Sequence, residues 1–288
     1  TLNGIWLHDV TTQQTERVAD LSANTWSILK VGFIPNTTSI FYVVNQNGNV
    51  YVLIDNLASN SRPRRLEIIG ESPQRFRDEY RNAFVSPDGQ ILALAGAQLR
   101  LIRLVTATPD SDIDDEVVGN IRPNYRLSTI AFHPNSQQLA VIGGDGGEFY
   151  LEGYRVDDQS QLYRHNIRTT NARFMFFHSD GAQLTVVGNF MKFFNFDLVT
   201  GRKSLEYDGT GFNIQDAQLS SDGLQLAVAV DGMGIILYNT KTASSITSLT
   251  DYDTPVSFDI SSDGQNIAGV VSGFWGNYGG YLRLSDVA

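Results

Sequence analysis

The chain has 288 residues, 42% of them hydrophobic, and no cysteine, which excludes disulfides, thiolate metal sites and cysteine nucleophiles. Its 31 acidic and 21 basic residues leave a net charge of −10, which opposes generic nucleic-acid binding because a phosphate backbone is repelled at long range. No apolar run approaches the roughly 18–20 residues that a transmembrane helix needs.

From the start, Gly4 to Val10 reads as an apolar strand and Glu16 to Asp20 as a more polar one. A turn at Ile34-Pro35-Asn36-Thr37 follows, then a strand from Val50 to Ile54. Arg81 to Val85 alternates, Ser86-Pro87-Asp88-Gly89 turns, Ile91 to Ala95 is solidly apolar, and Leu99 to Leu104 forms a third run. The same order returns with Leu127 to Phe132, His133-Pro134-Asn135-Ser136 and Leu139 to Ile142. It returns again at His178-Ser179-Asp180-Gly181, Ser220-Ser221-Asp222-Gly223 and Ser261-Ser262-Asp263-Gly264, each followed by an apolar run. The second residues of these six turns lie 52, 47, 45, 42 and 41 positions apart. A unit of roughly 45 residues with several short strands is the pattern of a propeller blade.

Within each unit, alternation marks a half-buried strand and the solid run a strand covered on both faces. Asp-Gly in four turns suits a tight hairpin, because Gly accepts positive φ and Asp can satisfy nearby backbone donors. Third strands such as Phe193 to Phe196 and Ile235 to Tyr238 run into turns at Asp197 to Gly201 and Asn239 to Thr242. A polar fourth strand such as Lys203 to Tyr207 suits an outer edge. The expectation is an all-β chain, one domain over residues 1–288, built as a propeller of four-stranded antiparallel blades. Six blades are preferred, closed by N- and C-terminal strands sharing a blade. Seven is the alternative, because Gly4 to Val10 itself resembles a third strand.

Apolar strand, Ser-Pro-Asp-Gly, apolar strand, third strand and Asp-x-x-Thr-Gly together resemble the blade of WD-repeat propellers and their TolB-like relatives. The resemblance spans the whole chain, but no blade carries the Trp-Asp pair: Ile54-Asp55, Phe196-Asp197, Tyr238-Asn239 and Ser285-Asp286 stand in its place. It implies a divergent, bacterial-style member of a scaffold shared by many functions. It also implies that the loops joining fourth to first and second to third strands share one face. Those loops hold Trp26, Arg75, Phe76, Arg77, Arg122, Tyr125, Tyr252, Phe274, Trp275 and Tyr278. Arg, Trp and Tyr are the side chains most enriched in binding hot spots, so these ten residues are the expected partner-binding face.

Charge is unevenly spread. Six arginines stand between Arg62 and Arg81, while Asp110 to Glu116 is a concentrated acidic loop lacking the Gly and terminal Glu of a calcium loop. Both read as solvated surface, the basic stretch with a second reading as a docking patch for an acidic partner. His133 and His178 occupy a slot held elsewhere by serine, which marks them as turn residues, and no His-x-x-His spacing occurs. Gly143 to Gly147 opens no helix and so reads as a hairpin rather than a phosphate cradle. Only four lysines accompany seventeen arginines, and with the missing cysteines this leans towards an extracytoplasmic compartment. The start at Thr1 suggests a processed or trimmed chain.

The expectation is a non-catalytic scaffold or accessory subunit of a larger bacterial assembly, binding another protein, with no cofactor or metal. The alternatives are a small-molecule or carbohydrate binder using the aromatic loops, and a propeller hydrolase or lactonase.

Overall fold

The computed structural model describes residues 4–9, 14–20, 26–46, 49–56, 64–68, 83–95, 98–104, 117–123, 125–145, 148–167, 172–189, 192–209, 211–249, 255–260, 266–271 and 281–286. Every regular element among them is a β-strand. Their contacts cluster into two compact units, Thr1–Pro123 and Asn124–Ala288.

The first unit opens with β1 (Gly4–Asp9) and β2 (Gln14–Asp20), paired with each other as a two-stranded sheet. Blade 1 follows as β3 (Trp26–Phe33), β4 (Ser39–Gln46), β5 (Asn49–Asn56) and β6 (Arg64–Ile68). Blade 2 is β7 (Ala83–Val85), β8 (Ile91–Ala95), β9 (Leu99–Arg103) and β10 (Val117–Ile121). Each strand pairs antiparallel with the next. One core joins the two blades: Phe41, Val43, Val50 and Val52 from blade 1 pack against Ala83, Leu92, Leu94 and Ile102 of blade 2.

The second unit repeats this plan. Blade 3 is β11 (Arg126–Phe132), β12 (Gln138–Asp145), β13 (Glu148–Arg155) and β14 (Gln161–Asn166). Blade 4 is β15 (Ala172–Phe177), β16 (Gln183–Gly188), β17 (Lys192–Asp197) and β18 (Arg202–Asp208), and blade 5 is β19 (Ile214–Leu219), β20 (Gln225–Val230), β21 (Gly234–Asn239) and β22 (Ser245–Leu249). A three-stranded sheet of β23 (Pro255–Ile260), β24 (Asn266–Val271) and β25 (Tyr281–Asp286) ends it. The innermost strands β11, β15, β19 and β23 neighbour one another in turn, which is the propeller arrangement.

The solid apolar runs are explained by β20. Leu226, Val228 and Val230 point into the core shared with blade 4, while Ala227 and Ala229 point into the next core, beside Phe258 of β23. One strand with a period of two therefore serves two cores, and each fully buried Leu or Val contributes about 1.5–3 kcal/mol. Outermost strands β14, β18 and β22 keep alternate or most residues exposed, in line with their polar sequences.

The blade count departs from expectation. Among the described residues five sheets are four-stranded, the sixth repeat has three strands, and β1 and β2 form a two-stranded sheet of their own. Only four residues separate β1 from β2, so their hairpin closes at little cost in loop-closure entropy.

Turn chemistry matches the sequence reading. The Asp88 carboxylate accepts the Ser86 hydroxyl at 2.6 Å and the Gln90 amide at 3.0 Å, and the Ser86 hydroxyl oxygen in turn accepts the Ile91 amide. Ser220 and Asp222 repeat the arrangement. The fourth turn residue is left-handed in four copies, at Gly89, Ser136, Gly181 and Gly223, whereas in the first copy it is Asn36, one position earlier.

Candidate functional site

Histidines wedge the seams between blades 3 and 4 and between blades 4 and 5. The His133 ring meets Phe177 edge-on at 5.0 Å and stands directly against Gly181 of the next blade's turn. His178 does the same one blade later, against Gly223, and His165 on β14 lies against Gly201 in the β17–β18 turn of blade 4. In blade 1 the backbone and Ile34 side chain fill this place, against Gly89. His133 and His178 are turn residues, as expected, and together with His165 they are also wedges. His178 additionally starts a buried polar chain: its Nε2 is 2.9 Å from the Thr185 hydroxyl, which donates to Asn195 Oδ1 at 2.8 Å. Asn195 Nδ2 then donates to the Thr240 carbonyl of blade 5 at 2.8 Å. Burial holds the His178 imidazole below its usual pKa, against the opposing pull of Asp180.

On the rim of this same seam, an open cavity of about 530 Å³ lies between β18 and the outer half of blade 5. Tyr207, Phe212, Met233 and Tyr238 line it together with Ser244, Ser245, Thr247 and Ser248. Tyr207, Tyr238 and Phe193 pack as a ring triad with centroids 5.0–5.2 Å apart. Burial first, and then a hydrogen bond with Tyr207, raises the Tyr238 phenol. Among the described residues that line the cavity, none carries a formal charge. Its size falls in the usual range for ligand sites, roughly 300–1,000 Å³.

Blade 3 carries a second cluster. Glu152 on β13 is only 2% exposed, accepts the Tyr154 hydroxyl and pairs with Arg164 Nε at 3.2 Å. The Arg164 guanidinium lies 4.0 Å over the Tyr150 ring, which in turn lies 5.9 Å from Tyr125. The Tyr125 hydroxyl is buried without a partner in hydrogen-bond geometry among the described residues, yet Glu152 stands near enough to add to burial in raising its pKa. Tyr154 is raised too, by burial and by Glu152. Half of the Arg164 side chain reaches solvent.

Of the expected partner-binding residues, Tyr125 enters this blade 3 cluster. Arg122 is exposed just after β10, donating from Nε to Gln98 at 2.9 Å. Trp26 begins β3, opposite Gln46. Arg75, Phe76, Arg77, Tyr252, Phe274, Trp275 and Tyr278 lie outside the described residues, as do the acidic loop Asp110 to Glu116 and most of the arginine-rich stretch. The aromatic cavity was missed because Tyr207 and Tyr238 read as strand residues. Among the described residues, no group of three or more His, Asp or Glu is placed to hold a metal ion. Neither a protein-family model nor a curated protein matches the chain.

Proposed function

We propose that the protein is a non-catalytic propeller scaffold that binds another protein, as a subunit or accessory component of a larger assembly. The observation that carries this reading is the cavity between blades 4 and 5. Its aromatic and thioether side chains offer large contact area, its hydroxyls offer directed hydrogen bonds, and among the described residues its lining includes neither a carboxylate nor an imidazole to move protons. The half-exposed Arg164, braced on Tyr150 and Glu152, is a second pre-organised contact of the kind enriched in interfaces. The Asp197–Gly201 turn, with Asp197 Oδ1 accepting the Val199 and Thr200 amides, supports kinship with WD-repeat and TolB-like blades.

The test is purification of the native protein under gentle conditions, followed by identification of what co-elutes in fixed ratio. A stoichiometric protein partner supports the scaffold. Elution alone, with hydrolase activity or glycan binding in its place, removes it. The double variant Trp275→Ala with Arg77→Ala tests the loop face: unchanged partner retention in a folded variant moves the interface elsewhere.

A further inference from the structure

Outermost strands present a row of unpaired backbone donors and acceptors, and proteins ordinarily protect such edges with charge. Blade 3 does so with Arg164 on β14, and blade 4 with Arg202, Lys203, Glu206 and Asp208 on β18. Strand β22, Ser-Ile-Thr-Ser-Leu, has no charged residue at all. It pairs only with β21 in its sheet, Ser245, Ile246 and Ser248 are exposed, and Ile246 is 48% exposed despite being large and apolar. β10 is uncharged as well, but the cavity lies beside β22, and Ser245, Thr247 and Ser248 of the strand form part of its lining. An unguarded edge thus runs along the mouth of an uncharged aromatic pocket.

We infer that β22 is a docking edge for an extended, uncharged peptide segment of a partner protein, added as a fifth strand to blade 5. Backbone hydrogen bonds to β22 supply affinity, and an apolar or aromatic side chain of the segment enters the cavity against Tyr207, Phe212 and Met233 to supply specificity. A charged segment is disfavoured because the pocket offers no counter-ion for a desolvated charge. The inference rests on the scaffold reading and narrows it to one edge and one kind of partner chemistry.

The experiment uses the full chain and a phage-displayed library of random peptides as the probe. Selected peptides are synthesised and mapped by amide chemical shifts and hydrogen exchange. The expected result is enrichment of uncharged segments that protect the Ser245–Leu249 amides, with affinity lowered at least about tenfold, or about 1.4 kcal/mol, in both Ile246→Lys and Ser248→Lys. Both positions are exposed, so the variants keep the fold, which circular dichroism verifies. Peptides that bind without touching β22, or affinity unchanged in both lysine variants, overturn the edge assignment while leaving the scaffold reading intact. Recovery of no peptide, with maltotriose or cellotriose shifting the Tyr207 and Tyr238 signals instead, also overturns it. The scaffold reading falls separately, if the native protein elutes without a partner.

Discussion

His178 lies directly over Gly223: a Cβ on that glycine would be 2.7 Å from the imidazole Nδ1. Gly223 also holds φ at 72°, so two independent constraints meet at one residue. Gly223→Ala should lose the 1–2 kcal/mol typical of a left-handed L-residue plus a contact penalty. Gly211→Ala isolates the first term, because Gly211 has φ of 74° with nothing within 4 Å of the added carbon. Urea midpoints should fall further for Gly223→Ala than for Gly211→Ala, and His178→Ser should close most of that gap.

Stability should decline with acid in two stages. The folded pKa of His178 is depressed by burial, so the folded chain binds fewer protons than the unfolded one below an unfolded value of about 6.5. Its stability is then present above that pH and lost as pH falls through the window down to the folded pKa. A lower stage follows from Asp222, which the Ser220 hydroxyl and the Leu224 amide hold below the usual carboxylate range. That contribution is present above the unfolded carboxylate pKa and disappears as pH drops through the folded one. His178→Ser should flatten only the upper stage, since Ser86 and Ser220 fill the same turn slot.

The polar chain in blade 4 should show strong coupling. Asn195→Leu removes the partner of the Thr240 carbonyl and of the Thr185 hydroxyl, costing about 1–3 kcal/mol for buried groups left unpaired. Thr185 faces Asn195 across β16 and β17 just as Ala227 faces Leu237 across β20 and β21. The pair Thr185→Ala with Asn195→Leu reproduces the blade 5 solution and should recover part of the loss. A double-mutant cycle on denaturation free energies measures the recovery.

Arg164→Ala leaves the Glu152 carboxylate buried with only tyrosine hydroxyls near it. The loss at neutral pH should be about 3 kcal/mol, the lower end for a broken buried ion pair, because half of Arg164 is in solvent. Glu152→Gln combined with Arg164→Ala removes the unpaired buried charge and should recover part of the loss, read as a shift in the urea midpoint.

Residues 178 and 223 are 45 positions apart, about one repeat, and this explains what could be read in advance. Features confined to one blade were legible: the solid runs that became β8, β16 and β20, the polar outer strand β18, and the Ser-x-Asp-Gly turns with their side-chain hydrogen bonds. Features made by one blade against the next were not. Nothing local to His133 or His178 announces a glycine in the following blade, and Tyr207 and Tyr238 reveal a cavity only when two sheets are set side by side. The expected count of six blades exceeded the five four-stranded sheets for a related reason, since the apolar character of β1 does not say which strand it will pair with. Tyr125 was singled out for its type, and its real company, Tyr150 and Arg164, comes from strands β13 and β14.

The wedge against each glycine has a consequence for how such a chain can change over generations. Copies that arose from one ancestral module are no longer interchangeable: a bulky ring in one demands a bare backbone in its successor, and a transplanted module would meet a neighbour cut for someone else. A histidine in this slot therefore requires a glycine in the next blade, whereas a glycine such as Gly89 stands without one.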